Sequence, residues 1–426
     1  MKKSVVALAV LGAFTSAAFA QSSVTLYGRI DQNMTWQNPG KETTIKGGAD
    51  KGRAAMKIND GGVNGMGSSR IGMKGVEDLG SGLKAYFVLE AQVTADTGDA
   101  GNRATQTSST SFFNREAYVA LGSTSLGDVR LGRLETISRE TDRRVNDVSG
   151  ENEFNIAETL DNYNDGTERK QTRPLFQNFG TRIDNAISYR SPSFGGLQGF
   201  ITVGLSENYK LSTTTLTGVT TTCTAATPPA TAPVCTSTPV NTTKDTHGLE
   251  YRGLGAIYNL GPFNAAVSYE ELASNKVRGG SFDNTVTVGA NYDFGVAVVY
   301  VAYQNSSEVA QDALSGSNSL TFASTNGASS SDSKGADHEA FNLGVKVPVG
   351  NFTFKAQYTE SNISGLKVAD YAIRGGQLKQ YKYGGIVSYA FSKRTSVYAV
   401  ATTRGGDGDQ YFQRKNEYAI GIGHNF

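Results

Sequence analysis

The tightest constraint on what this chain can fold into is a period of two that recurs along its length. NFTFKAQYTES places Phe352, Phe354, Ala356 and Tyr358 on one side and Thr353, Lys355, Gln357 and Thr359 on the other. LKAYFVLEAQVT sets Leu83, Ala85, Phe87, Leu89, Ala91 and Val93 against Lys84, Tyr86, Glu90 and Gln92. FNAAVSYEE and YKYGGIVSYAF repeat the pattern with Phe263, Ala265, Val267 and Tyr269, and with Tyr381, Tyr383, Val387, Tyr389 and Phe391. Alternation over roughly eight to twelve residues is a strand with one apolar face. Helical periodicity is absent except in pieces of residues 134–181.

The connections are sorted into two kinds. Tight ones are DLGSG (78–82), STSLGD (123–128), SPSFGG (191–196), NLGP (259–262), DFG (293–295), PVG (348–350) and SKRT (392–395), rich in residues that supply turn conformations. Long polar ones cover about 37–68, 96–111, 134–181, 209–246, 274–281, 306–336, 362–379 and 405–414. The reading is sixteen strands, starting near 24, 69, 83, 112, 128, 182, 197, 247, 263, 282, 295, 337, 351, 380, 395 and 415.

An antiparallel meander with every short turn at one end and every long loop at the other has two unlike rims. A soluble sandwich has no reason for such sorting, whereas a barrel in an outer membrane turns short connections to the periplasm and long ones outward. Closure is compulsory there, because an open edge in lipid strands N–H and C=O groups at several kcal/mol each. The first and last strands must therefore pair. Val24, Leu26 and Ile30 of SVTLYGRID and Ile420, Ile422 and Phe426 of NEYAIGIGHNF become outward seam residues. Phe426, Tyr389 and Tyr358 are expected in an aromatic girdle at a membrane interface. The expected class is all-β, a 16-stranded antiparallel transmembrane β-barrel.

MKKSVVALAVLGAFTSAAFA has two lysines, an apolar run and a small-residue end before Gln21, the pattern of a cleaved signal peptide over residues 1–20. Residues 21–426 then form one barrel domain with no linker dividing it. Lys2 and Lys3 leave with the signal, so 40 basic against 39 acidic residues becomes near balance, with no basic excess pointing to nucleic acid. A hydrophobic share of 38% is low for a large solid core and suits a wet interior. The two cysteines, Cys223 and Cys235, lie in TTCTAATPPATAPVCTSTP. In an exported chain a local disulfide stapling that loop is the favoured reading, since ligands for zinc are missing.

SVTLYGRID, SSRIGMKGVEDLGSGLKAYFVLE, FFNREAYVALGSTSLGDVRLGR, RIDNAISYRSPSFGGLQG and the terminal Phe together resemble the general porins of Gram-negative bacteria, nearest the beta-proteobacterial group of Neisseria and Bordetella. The likeness runs over nearly the whole chain after residue 20. It implies a homotrimer in outer-membrane lipid and lipopolysaccharide, passing small ions and polar solutes. It also implies a third loop folded into the lumen, and a C-terminal strand whose Phe426 is read by the outer-membrane assembly machinery.

Porins of this kind narrow the pore with wall arginines facing loop acids, which sets a field across the path of a solute. By resemblance the arginines are Arg70, Arg115 and Arg182, with Arg29 and Lys74 added to the basic set. Alternation puts Arg70 with Gly72 and Lys74 on the lumen face, and Arg182 with Asp184, Ser188 and Arg190. Arg115 shares a face with Ala117, Val119 and Leu121. The resemblance places that face behind the inserted loop and Tyr118 outward at a subunit contact. An arginine of an all-β chain is as readily a solvated surface charge. In loop 3 (134–181) the expected acids are Asp142, Asp147, Glu151 and Glu153.

Other patterns carry little. DNYNDGTER (161–169) and GGDGDQ (405–410) echo calcium loops without completing one. His247, His338 and His424 are scattered, with His424 expected at an interface. No catalytic constellation and no cofactor are read. A passive diffusion channel with mild anion preference is the main expectation. An adhesin acting through the Ser/Thr-rich segments 209–246 and 306–336 is the alternative.

Overall fold

The computed structural model describes residues 23–39, 55–61, 65–100, 112–146, 148, 163–164, 169–170, 182–205, 211–224, 234–246, 250–273, 283–309, 336–364, 377–406 and 414–426. Asp147, Glu151, Glu153, His247 and the proposed signal peptide lie outside them.

The strands run in this order: β1 (Ser23–Pro39), β2 (Ala55–Asp60), β3 (Arg70–Gly80), β4 (Leu83–Thr94), β5 (Asp99–Ala100), β6 (Glu116–Ser123) and β7 (Gly127–Glu135). A short helix α1 (Ile137–Thr141) and a wider helical turn (Asp142–Asn146) follow, then β8 (Tyr163–Asn164), β9 (Arg169–Lys170), β10 (Arg182–Arg190) and β11 (Leu197–Gly204). Next come β12 (Leu211–Thr224), β13 (Val234–Thr246), β14 (Glu250–Leu260), β15 (Phe263–Ala273), β16 (Asp283–Asp293) and β17 (Val298–Val309). The last five are β18 (Ala336–Val349), β19 (Phe352–Ser364), β20 (Leu378–Ala390), β21 (Thr395–Gly406) and β22 (Arg414–Asn425).

Antiparallel pairing runs β1–β3–β4–β6–β7–β10–β11–β14 and then strand by strand to β22. β22 returns to β1, with Arg29 opposite Asn425 and Trp36 opposite Tyr418. Sixteen strands thus close a cylinder and leave no lipid-facing edge. The chain's last residue completes the seam: Phe426 N–H donates to Gly28 O, and Gly28 N–H to Phe426 O, both at 3.1 Å.

The alternation sorts as its chemistry demands. Leu26 (58% exposed), Ile422 (52%) and Leu254 (56%) face out. Thr285, Gln304, Thr359 and Gln380 face in and are buried. Aromatic residues form two belts. Phe352, Tyr389 and Phe391 pack together near the short-turn rim, with Tyr292 and Phe294 in a second pair. Tyr358, Tyr381 and Tyr383 stack near the long-loop rim, where Tyr358 Oη donates to Glu360 at 2.5 Å. Tyr358 therefore belongs to the opposite girdle from Tyr389 and Phe426.

The first short turn shows why these connections are tight. Ser81 (φ 53°) and Gly82 (φ 77°) are both left-handed, as a two-residue hairpin turn requires. Two departures from the expected strand limits matter. The first long loop is shorter than 37–68, because β2 pairs with the upper part of β1. The segment 209–246 holds a hairpin of its own, β12–β13, which pairs with no barrel strand.

Candidate functional site

Inward residues of neighbouring strands β3, β4, β6, β7 and β10 carry a band of charge. Glu90 on β4 anchors it. Arg115 Nε donates to Glu90 Oε1, Arg70 Nε lies 3.9 Å from Glu90 Oε2, and Tyr27 Oη donates to the same oxygen at 3.0 Å. Lower on the wall, Arg130 Nε donates to Tyr86 Oη at 3.1 Å, and its guanidinium lies 5.4 Å from the centre of the Tyr118 ring. Asp128 accepts from the Tyr86 hydroxyl at 2.9 Å. Lys74 stands 5.4 Å from the centre of the Tyr27 ring and is exposed.

Loop 3 begins at the other end of this band. Glu135 closes β7 between two arginines, Arg143 Nη2 at 3.1 Å and Arg182 Nη2 at 3.8 Å. Thr136 caps α1, its hydroxyl accepting from Arg139 N–H at 3.4 Å. The first turn is then fixed to the opposite wall. Ile137 N–H donates to Tyr251 Oη at 2.8 Å, Ser138 N–H donates to Glu270 Oε1 at 2.7 Å, and the Tyr251 hydroxyl donates to that same carboxylate oxygen at 2.5 Å. A carboxylate against free N–H groups is the favourable partner for the start of a helix.

Small wall residues make room for the loop. A Cβ at Gly253 or Gly255 would strike Ile137. Ile137 and Val145 form an apolar cluster with Phe200, Ile257 and Ala266. Burial of that kind contributes about 1.5–3 kcal/mol per large side chain. Farther on, Asn291 Nδ2 donates to Val145 O at 2.9 Å, and Val148 reaches Gly344 on β18. The described start of loop 3 thus runs across the inner faces of β14 to β18. Glu140, on this stretch, meets Arg144 at 2.8 Å and pairs with Arg190.

The expected residues are distributed unevenly in this arrangement. Arg70, Arg115 and Arg182 all sit in the charged band. Arg29, opposite Arg70 in the β1–β3 ladder, is buried in a pair with Asp31 at 3.4 Å. Asp142 is buried at the end of α1, its N–H turned back to Ser138 O and Arg139 O. Two expectations from alternation fail, and so does the outward placing of Tyr118 that the resemblance implied. Val119 and Leu121 are exposed on the outer face, and Tyr118 points inward over Arg130. Arg115 reaches Glu90 because it lies in the bend before β6, outside the strand's alternation. Asp184 is on the outer side with Arg133, since β10 bulges between Ile183 and Ala186 and Asn185 takes φ 51°. Glu90, Glu135, Glu140, Arg130 and Arg190 were not selected from sequence. Glu90 was readable from its place beside Lys84, Tyr86 and Gln92. Among the described residues no cluster of His, Cys, Asp and Glu could hold a metal ion.

A closed barrel with a greasy outer band and a charged interior lined by the start of its own third loop is the architecture of an outer-membrane channel. The chain belongs to the Gram-negative porin family, whose sequence profile matches residues 7–409. An outer membrane porin protein of Bordetella pertussis is 28% identical over an alignment of 450 residues that takes in 100% of both chains. Outer membrane porin protein 32 of Delftia acidovorans is 31% identical over 302 residues, covering 70% of this chain and 67% of the relative. In structure, an anion-selective porin from Comamonas acidovorans superposes with a TM-score of 0.62 at 22% identity, covering 95% of this chain and all of that one. Salmonella typhi OmpF superposes at 0.57 with 14% identity, covering 95% and 97%. The protein is an outer-membrane channel for passive diffusion of small hydrophilic solutes and ions. The relatives point to a channel rather than an enzyme.

Proposed function

We propose that the arginine band and the start of loop 3 form the narrow part of the pore, and that this part gives the channel a mild preference for anions. The observation that carries the reading is the grouping of Arg70, Arg115, Arg130, Arg182 and Arg190 on adjacent strands with Arg143 and Arg144 of loop 3, seven arginines that Glu90, Glu116, Asp128, Glu135 and Glu140 compensate only in part. A field across the lumen aligns polar solutes and raises the local concentration of the favoured ion. The anion-selective porin from Comamonas acidovorans, which shares the fold, agrees in sign. The test is the reversal potential of purified protein in a planar bilayer across a salt gradient. Anion selectivity supports the reading, and so does a shift toward cations when Arg70 and Arg115 are both replaced with Gln. A cation-selective wild type sinks it.

The channel works as a homotrimer, in keeping with a Vibrio cholerae OmpT structure described as a trimer form, which superposes at 0.52 with 14% identity over 95% of this chain and 99% of that one. Export proceeds through the signal peptide 1–20, and Phe426 serves as the assembly signal. Outer-membrane lipid and lipopolysaccharide surround the apolar belt. Cys223 and Cys235 are oxidised to each other.

A further inference from the structure

The second strand of the barrel is broken, and the break turns inward. β2 ends with Asp60 opposite Gln32, while β3 starts with Arg70 opposite Arg29. An unbroken ladder would put residue 63 opposite Arg29. The surplus is the glycine-rich stretch GGVNGMGSS, 61–69, of which Gly61 and residues 65–69 are described. Its two ends are tied to one residue. Asp31 O accepts Gly61 N–H at 2.8 Å and the Ser69 hydroxyl at 3.1 Å, and Asp31 N–H donates to Ser69 Oγ at 2.9 Å. The Asp31 carboxylate, fully buried, accepts the Tyr398 hydroxyl at 2.5 Å and pairs with Arg29. The described part, residues 65–69, brings Met66 to β21, where Ser396 Oγ donates to its sulfur at 3.3 Å.

Met66 meets an unexpected surface there. Val148 of loop 3 is 2% exposed and clusters with Tyr300, Ile386, Tyr398, Val400 and Ala419, and Met66 and Val298 pack against the same group. All the wall members point into the barrel. Their sequence neighbours Val301, Tyr418 and Ile420 carry the outer face. An apolar, buried cluster on the inside of a pore wall is a place from which water is excluded. Methionine suits the contact, being flexible enough to fill an irregular gap.

We propose that Met66 and Val148 together close the β17–β22 side of the lumen, so that solutes pass along the arginine band on β3 to β10. Asp31 is the positioning residue for this seal. It holds both ends of the stretch 61–69 and the Tyr398 ring that Val148 packs beside. The inference rests on the pore reading above, and adds which residues confine the path.

Cysteine accessibility tests it, in a Cys223→Ser, Cys235→Ser background. Met66→Cys and, as the reference, Lys74→Cys are exposed to an anionic and a cationic methanethiosulfonate while single-channel current is recorded. Met66→Cys is expected to react at least roughly tenfold more slowly than Lys74→Cys with both reagents, because the Met66 side chain is partly buried against the wall cluster whereas Lys74 is exposed. Equal rates overturn the seal. A second variant, Met66→Asn with Val148→Asn, is expected to raise single-channel conductance in barrels that keep their heat-modifiable gel mobility. Unchanged conductance in such barrels also overturns it. A wild-type channel that prefers cations while Met66→Cys stays protected defeats the selectivity reading and supports the seal.

Discussion

Glu140 on the inward loop and Arg190 on β10 form an ion pair in which both side chains are largely buried, and Arg144 approaches the same carboxylate from the next turn of the loop. The wall and the loop are therefore joined by charge on the β10 side and by apolar contact on the β17–β22 side. Breaking the first link changes the field, and breaking the second changes the opening.

Glu140→Gln leaves Arg190 and Arg144 without their carboxylate. One unit charge about 7 Å from a passing ion in a water-like medium changes its energy by about 0.6 kcal/mol, or roughly threefold in permeability ratio. The expected outcome is a reversal potential moved toward anions by that order. An unchanged reversal potential would remove Glu140 from the conduction path.

Tyr251→Phe deletes the hydroxyl that accepts Ile137 N–H and donates to Glu270. Losing a buried partner of this kind costs about 1–3 kcal/mol. The start of loop 3 should loosen, seen as greater open-channel current noise with mean conductance little changed. Noise equal to the wild type would show that the apolar contacts of Ile137 and Val145 alone fix the loop.

Gly28→Val puts a side chain where the Phe426 ring and the Arg70 carbonyl already lie. Overpacking at such a site costs about 1–3 kcal/mol, and here it acts on the seam that must close last. Refolding yield of the heat-modifiable barrel should fall, and deleting Phe426 in the Gly28→Val chain should restore part of it. No rescue would mean the clash with Arg70 O dominates.

Cys223 and Cys235 stand directly opposite each other in the β12–β13 ribbon. Opposed residues in such a pair have Cα atoms about 4.5–5.5 Å apart, within the range a disulfide spans. Protein purified without reductant should show no thiol by alkylation and mass measurement, and two after reduction. Two alkylated thiols before reduction would refute the bridge.

Alternation and the sorting of turns from loops were enough to read the barrel. One residue decides the face of the next, and the bilayer admits only a closed sheet. Leu26, Ile422 and Phe426 faced outward as their period required. Where the period breaks, the sequence could not speak. The bulge at Asn185 reversed Asp184, the bend at Arg115 returned that side chain to Glu90, and the stretch 61–69 read as mere loop. The pairing of Glu140 with Arg190, and the packing of Met66 against the cluster that holds Val148, join residues distant along the chain. Those contacts exist only once the cylinder has closed and set opposite walls a loop's reach apart, a distance that no local pattern encodes.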